Sequence, residues 1–302
     1  MKAVVLTEYG GFDKLEWREM PDPRAESGAI VVRMAGASIN PVDWKMRSGD
    51  AKGRFPVTFP GILGRDVSGE VVAIGDGVTT FAVGDGVLGL VWGAYAELAT
   101  APVNCWAKRP AGLDPVDAGA LPLVLLTGAQ LIETAVKPTK GSTVLVTGAA
   151  GGVGRTAVFA AKSLGATVWA GVRASQRTEA MRLGADGVVA LDDDDDIHTL
   201  PTLDAIADTV GGATIQKLYG KLRRGGVLGS VLGEPKGAKE LGIVVHAYMA
   251  HPDSAMLERY AKAVAARELE IPIAKKMPLA EAAEAQRFAE EKHPGGKVVL
   301  VG

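Results

Sequence analysis

The sequence predicts an α/β protein in which a β-rich domain accompanies a doubly wound parallel-sheet domain. Three observations carry this reading. Up to about residue 110 the chain runs in short apolar stretches separated by glycine-rich turns: "AIVVRMAGAS", "VSGEVVAIG", "GDGVLGLV" and "AYAELAT". From Gly141 the pattern changes to non-alternating apolar runs separated by helices, as parallel strands buried on both faces require. At the first strand–helix junction of that region stands "VLVTGAAGGVGR" (144–155), five small residues between an apolar run and a helix.

The elements follow in order. In the first domain, Gly-Asp and Asp-Gly pairs at 75–77 and 84–86 supply turns, because both residue types tolerate positive φ. Many short strands at this spacing suggest a compact barrel or sandwich. The character changes at "RPAGLDPVDAGALPLVLLTGAQLIETAV", with Asp114 as helix N-cap and Pro115 in the first helical position. Then come "STVLVTG" (strand), "GVGRTAVFAAKSLG" (helix), "ATVWAGV" (strand), "SQRTEAMRLG" (helix), "GVVAL" and "LDAIADTV" (strands). "IQKLYGKLRRGG" reads as a helix, "VLGSVLG" as a strand and "SAMLERYAKAVAARELE" as a helix. The closing "EIPIAKKMPLAEAAEAQRFAEEKHPGGKVVLVG" holds a helix and a strand that rejoins the first domain. The acidic run Asp192–Asp196 reads as a solvated loop.

Composition narrows the function. The 302 residues leave room for two cores, and a net charge of −2 with 23% charged residues gives no electrostatic reason to bind nucleic acid or an anionic membrane. A single cysteine, Cys105, excludes a disulfide framework and a cysteine-rich zinc site. The N-terminus meets acidic residues too early for a signal peptide, and the longest apolar run is interrupted by Pro122. A cytoplasmic location is the expectation.

A strand, A-x-G-x-x-G and a helix form a dinucleotide-binding (Rossmann) fingerprint. Ala149 is expected to make the tight turn, Gly151 to let backbone approach a pyrophosphate, and Gly154 to let helix and strand pack closely. The N–H groups of Ala150, Gly151, Gly152 and Val153 would face the anion, aided by the helix dipole. Where NAD-binding folds place an acidic residue, the second strand here ends in "AGVRASQR". Arg173, Ser175 and Arg177 stand there without a carboxylate, which suits the 2′-phosphate of NADP. Charge-assisted bonds worth roughly 1.5–3 kcal/mol would favour NADPH over NADH by about ten- to a hundredfold. "TGAAGGVG" also fits the glycine motif of short-chain dehydrogenases. Those enzymes rely on Tyr-x-x-x-Lys, and none of Tyr9, Tyr95, Tyr219, Tyr248 and Tyr260 has a lysine four residues later.

Several long stretches then recur in one order: "GASINPVDWKMRSG", "FPGILGRDVSGEVVAIGDGVTTFAVGDGV", "AYAELA", "LTGAQLIETA", "VLVTGAAGGVGRTAVFAAKSLGA", "DTVGG" and "GGKVVLVG". In these the chain resembles the medium-chain dehydrogenase/reductase superfamily, in its zinc-free quinone oxidoreductase branch. The resemblance implies a GroES-like β-barrel catalytic domain (1–117 and 268–302), a Rossmann NADP-binding domain (118–267) and a homodimer. Zinc-dependent members carry cysteine, histidine and a third ligand where this chain has Asn40-Pro41, Gly64-Arg65-Asp66 and apolar residues before Thr127. His198, His246, His251 and His293 show no H-x-x-x-H spacing and read as surface or loop residues. No metal is therefore expected.

Carried over by position, Asn40 faces substrate and cofactor, while Thr127, Thr209, Val210, Leu232 and Lys297 lie toward the nicotinamide end. Lys45 sits where some relatives have tyrosine, and Ala51 replaces a second tyrosine, so water or Lys45 would protonate the product. Arg65 places a cation where a zinc ligand would be. Asp43 and Arg47 would brace the loop, and Trp44 and Trp92 would either wall a flat pocket or belong to the core. The implied activity is NADPH-dependent hydride transfer to a quinone or an α,β-unsaturated carbonyl without zinc. Enoyl-thioester reduction, or a low-turnover NADPH-binding protein of structural use, remain open beside it.

Overall fold

The computed structural model describes all 302 residues, and their packing divides them into two units, Met1–Leu123 with Pro252–Gly302, and Val124–His251. In the first unit the chain forms β1 (Lys2–Leu6), β2 (Leu15–Glu19), β3 (Ala29–Ser38), α1 (Pro41–Ser48), β4 (Gly61–Ile62), β5 (Asp66–Ile74), β6 (Gly86–Leu90), β7 (Leu98–Pro102) and β8 (Trp106–Lys108). β2, β1 and β4 make one antiparallel sheet. β3 is the hub of a larger one, pairing antiparallel with β5 and with β7. Residues of both sheets, among them Leu6, Ile30, Val67 and Trp106, enclose one apolar core. Such burial contributes roughly 1.5–3 kcal/mol for each large side chain.

Asp114 accepts from the N–H groups of Val116 and Asp117, so it caps as expected. What it caps is a short 3₁₀ turn (Asp117–Ala120), and the helix proper, α2 (Pro122–Gln130), begins at the third proline of the stretch. Gly119 and Gly36 explain the delay. A Cβ on Gly119 would lie 2.4 Å from the Gly36 backbone, so the turn runs against β3 with no room for side chains.

The second unit holds β9 (Thr143–Thr147), α3 (Gly152–Ser163), β10 (Thr167–Val172), α4 (Arg177–Ala180), β11 (Gly187–Ala190), α5 (Asp194–His198), β12 (Leu203–Asp208), α6 (Gly212–Lys217), β13 (Leu222–Ser230) and β14 (Val244–Ala247). All six strands are parallel, in the order β11-β10-β9-β12-β13-β14. This is the doubly wound 3-2-1-4-5-6 order that the alternating pattern predicts.

Three expected elements differ. The run Asp192–Asp196 is exposed up to Asp195, as expected, but it is not a loop throughout: Asp193 caps α5 through the N–H groups of Asp195 and Asp196, and Asp196 pairs with Arg177. Clustered carboxylates at a helix N-terminus meet its free N–H groups and the positive end of its dipole. "IQKLYGKLRRGG" is α-helical only as far as Lys217 and makes a 3₁₀ turn at Tyr219–Lys221, because Leu222 joins β13 opposite Leu203. "SQRTEAMRLG" forms one α-turn, Arg177–Ala180, between 3₁₀ turns.

The chain then returns to the first unit with α7 (Ser254–Ala265), β15 (Ile273–Pro278), α8 (Ala282–Lys292) and β16 (Lys297–Val301). α7 was expected with the nucleotide-binding domain, yet it groups with the first unit, where Ser254 Oγ donates to the carbonyl of Trp106 at 2.5 Å. Its buried residues Leu257, Tyr260 and Ala261 fall at i, i+3 and i+4, a single packed stripe. β16 inserts between β15 and β3.

The tight turn after β9 is made by Gly148, at φ +64°, rather than by Ala149, which is buried. Gly154 behaves as expected: a Cβ there would stand 2.1 Å from the Gly148 carbonyl oxygen. Gly154→Ala should therefore lower unfolding free energy by about 1–3 kcal/mol, the usual range for overpacking. Gly220→Ala, with nothing within 4 Å of its Cβ, should stay within about 0.5 kcal/mol of the parent. Urea denaturation of both variants measures the contrast.

Candidate functional site

In the first unit the ends of three strands and one helix bring four polar side chains together. Ser38 closes β3 and Asp66 opens β5 as its register partner. Lys297 opens β16, whose Val299 lies opposite Ser38. Asn40 precedes α1 and Pro41 takes its first position, where a missing N–H costs nothing. Asp66 is fully buried and saturated with donors. Its Oδ2 accepts from Ser38 Oγ (2.7 Å), Asn40 Nδ2 (2.8 Å) and Lys297 Nζ (3.4 Å), and its Oδ1 from the N–H of Leu123 (2.6 Å). The Lys297 ammonium also donates to Asn40 Oδ1 and to the carbonyl of Ile39 (3.2 Å), so each of its three N–H groups has an acceptor. Burial pulls the Lys297 pKa down, opposed by the charges of Asp66 and Asp43.

Asp43 is a second buried carboxyl. Its Oδ2 accepts from the N–H of Asn40 (2.8 Å) and from Tyr95 Oη (2.8 Å), whereas Oδ1 has no partner. Burial raises its pKa to about 7, against the lowering effect of the Tyr95 and Asn40 hydrogen bonds. The Tyr95 hydroxyl is pushed up as well, by its burial and by the neighbouring Asp43. Arg47, expected to brace this loop, reaches Gln286 Oε1 (3.0 Å), Glu290 (2.9 Å) and the carbonyl of Gly10 (2.8 Å).

Arg65 is 6% exposed and donates through Nε to the carbonyl of Val91 at 2.8 Å. Its guanidinium lies 3.5 Å from the ring centre of Trp92. Burial lowers its pKa, opposed by Asp43 and Asp66. Trp92 is 52% exposed and also faces Phe55, at 5.7 Å, so it is a surface platform rather than core. Trp44 packs on the core. Lys45 is exposed on α1, outside the buried network. Of the first-unit residues singled out in the sequence, Asn40 and Lys297 are in direct contact, and Lys45 stands apart.

The remaining candidates gather at the carboxyl ends of the second unit's strands. Gly151 caps α3, and Gly152 and Val153 form its first turn, where N–H groups have no intrahelical acceptor. Ala150 is buried, and its carbonyl accepts from Arg155 Nε at 2.9 Å. Thr127 is buried on α2. Behind the edge lies Asp208, buried and saturated: Oδ1 accepts from Thr147 Oγ1 (2.9 Å) and from the N–H groups of Val210 (3.1 Å) and Gly211 (2.9 Å), and Oδ2 accepts from Ser230 Oγ (2.9 Å). Thr209 is bound to Thr147 through both its N–H (2.9 Å) and its hydroxyl (2.7 Å). The apolar side chains of Val210 and Leu232, 45% and 48% exposed, are left facing out. A flat heterocycle could lie on such a pair.

At the end of β10, Arg173 and Ser175 are exposed and Arg173 makes no ion pair. Arg177 is paired with Asp196. The expectation that no carboxylate stands here is corrected: Asp192, just past β11, accepts from the N–H of Ala174 at 2.8 Å. Adjacent parallel strands end side by side, and the sequence distance between them conceals it. Sequence reasoning also missed Ser38, Asp66 and Tyr95 as organisers of the site, whereas Asp208 stands in the "DTVGG" stretch already singled out. The one available signal was that all three lie inside the recurring stretches.

Two family models match the chain: an alcohol dehydrogenase GroES-like domain over residues 26–111, and a zinc-binding dehydrogenase domain over 183–300. A chloroplast envelope quinone oxidoreductase homolog of Arabidopsis thaliana is 36% identical over 63% of this chain; the match spans 60% of that relative's length. An acryloyl-coenzyme A reductase of Metallosphaera sedula is 27% identical over 99% of both chains. Among solved structures, a quinone oxidoreductase from Coxiella burnetii superposes with a TM-score of 0.88 at 27% identity, covering 100% of this chain and 99% of its own. The zinc in one family description finds no matching donor set here. No three His, Cys, Asp or Glu side chains converge, and the Lys297 ammonium already occupies the carboxylate that Asn40 shares.

The raised Asp43 pKa has a definite sign. Between about pH 4, where an unfolded aspartate titrates, and about 7, the folded protein holds the extra proton. Asp43 therefore lowers stability as pH rises through that window. Asp43→Asn, which keeps both acceptor contacts, should match the parent near pH 4–5 and be the more stable protein at pH 8. Thermal melts at the two pH values read the difference, and a constant gap would contradict the assignment.

Proposed function

The chain belongs to the medium-chain dehydrogenase/reductase superfamily, and on that premise we propose that it is a metal-independent, NADPH-dependent reductase of quinones or α,β-unsaturated carbonyls. The observation that carries this is the strand edge of the second unit. Free N–H groups at Gly152–Val153, an unpaired Arg173 and two outward apolar side chains, Val210 and Leu232, suit pyrophosphate, 2′-phosphate and nicotinamide in turn. Bound there, the reduced nicotinamide supplies a hydride. The protein's part is to hold the acceptor in line and to place donors where negative charge develops on its oxygen.

The donor chemistry supports independence from zinc. Asn40, Asp66 and Lys297 form a closed hydrogen-bonded set, and Arg65 offers a guanidinium rather than a ligand. The same reading covers the likeness to the acryloyl-coenzyme A reductase, since a thioester enone accepts hydride at the same carbon. The lone Cys105 fits a reducing compartment such as the cytoplasm.

We also propose that the working form is a homodimer joined at β14. That strand closes one side of the parallel sheet, so its outer backbone groups are unpaired, and the apolar side chains of Val244 on it and of Leu241 and Met249 before and after it are exposed. A second copy related by a twofold axis satisfies both needs. Val244→Pro, which breaks strand addition, should convert a dimer to a monomer in light scattering; a parent already monomeric would refute the assembly.

NADPH oxidation against a 1,2- and a 1,4-quinone, a 2-alkenal and an enoyl thioester tests the activity. Turnover of at least one is expected; tight NADPH binding without turnover would favour a structural role. Arg173→Ala should raise KM for NADPH about tenfold and leave that for NADH nearly unchanged. Arg177→Ala should do less, because Asp196 already shares that charge. Equal losses for both coenzymes would refute the phosphate assignment.

A further inference from the structure

We infer that Tyr248, backed by His251, is the proton donor that completes reduction of an α,β-unsaturated carbonyl; this rests on the reductase reading above. Tyr248 directly follows β14, and its N–H donates to the carbonyl of Ser230 at 2.8 Å. It is thereby fixed at the carboxyl edge of the parallel sheet, the side on which Gly151–Val153, Thr209, Val210 and Leu232 lie. In open α/β sheets, ligands bind outside that edge.

The hydroxyl has a defined supply line. Tyr248 Oη lies 3.1 Å from His251 Nδ1 and 3.4 Å from Gln130 Oε1. Gln130 is 1% exposed and clamps the same segment at both ends: its Nε2 donates to the carbonyl of His251 (2.9 Å), and its Oε1 accepts the N–H of His251 (3.1 Å). Gln130 stands three residues beyond Thr127 on α2, so the two share a helix face. Tyr248 is half-buried and His251 exposed, which puts the imidazole between the phenol and bulk water. A buried amide pinning a tyrosine–histidine pair at a ligand-binding edge is more than fold maintenance needs, since β14 itself is short and exposed.

The chemistry balances. Hydride from the reduced nicotinamide forms a C–H bond at the β-carbon, and the alkene π pair moves to give an enolate. The Tyr248 O–H bond breaks as its proton forms the C–H bond at the α-carbon. The phenolate recovers a proton from His251 Nδ1, and the imidazole is reprotonated from water. Two electrons come from the nicotinamide and one proton from solvent. Two first-unit groups are placed differently: Lys45 is exposed outside the polar network, and the Tyr95 hydroxyl is buried against Asp43. A quinone needs no such donor, because hydride addition leaves its single negative charge on oxygen, which water protonates unaided.

Tyr248→Phe should therefore lower kcat for a 2-alkenal by about a hundredfold, the usual worth of a positioned acid. KM and NADPH affinity, read by quenching of protein fluorescence, should hold, and 1,4-quinone reduction should stay within about twofold of the parent. His251→Gln should lose less, and added imidazole should restore it. In the ligand-free protein, the His251 ring resonances should shift when Tyr248 becomes Phe. Alkenal reduction unaffected by Tyr248→Phe, equal loss for both acceptors, or His251 resonances that do not move would each overturn the inference alone. A parent protein that binds NADPH yet reduces neither acceptor would overturn the reductase reading and this assignment together.

Discussion

A carboxylate sealed from water must find all its donors within the protein, and that constraint shapes both units. Asp66 draws Ser38, Asn40, Lys297 and the N–H of Leu123 to one point. Asp208 does the same with Thr147, Ser230 and the N–H groups of Val210 and Gly211. An unmatched buried charge would cost several kcal/mol, so any rearrangement of these strand ends is opposed by the loss of several charge-assisted bonds at once. The groups offered to ligands therefore stand on edges that hardly deform. Preorganisation of this kind is what electrostatic catalysis requires, because donors that must reorient during a reaction return little of their strength.

The two carboxylates also divide the labour differently. Asp208 is served by hydroxyls and backbone N–H groups alone, which makes it a brace. Asp66 has a full cation among its donors, and that cation is shared with Asn40. Charge is thus concentrated in the first unit, next to Asp43 and Arg65, while the strand ends of the second unit carry backbone dipoles and the exposed guanidinium of Arg173. In a chain with a net charge of only −2, local arrangement rather than overall field determines where an anion settles.

Much of this was legible in the sequence, and the reasons for the exceptions are physical. The parallel sheet and its glycine turn could be read because unbroken apolar runs and a strand–glycine–helix order admit few alternatives. Asn40 and Lys297 were found by resemblance, although 257 positions apart, and no local pattern would have joined them. Asp192 escaped because proximity across neighbouring parallel strands is invisible in the chain. The acidic run misled in part for a related reason: charge density suggested solvent, where Asp192–Asp195 do lie, but not the helix that Asp193 caps or the pairing of Asp196 with Arg177. Tyr248 and His251 lie in a stretch with no periodicity, and the buried amide of Gln130 that holds both is far away in sequence.

The placement of β16 has a consequence for biosynthesis. The second unit is one contiguous segment, Val124–His251, so every strand of its sheet precedes β16 in synthesis. The first unit cannot be completed before β16 is made, because that strand pairs with Gly36–Ser38 at the end of β3. Until then the end of β3 lacks that neighbour, and the Asp66 carboxylate lacks its lysine. Non-local pairing of this kind is slow and leaves sticky surface exposed. During synthesis, then, the second unit can be folded while the first still lacks a strand, and the cation beside Asn40 is the last piece of the polar cluster to arrive.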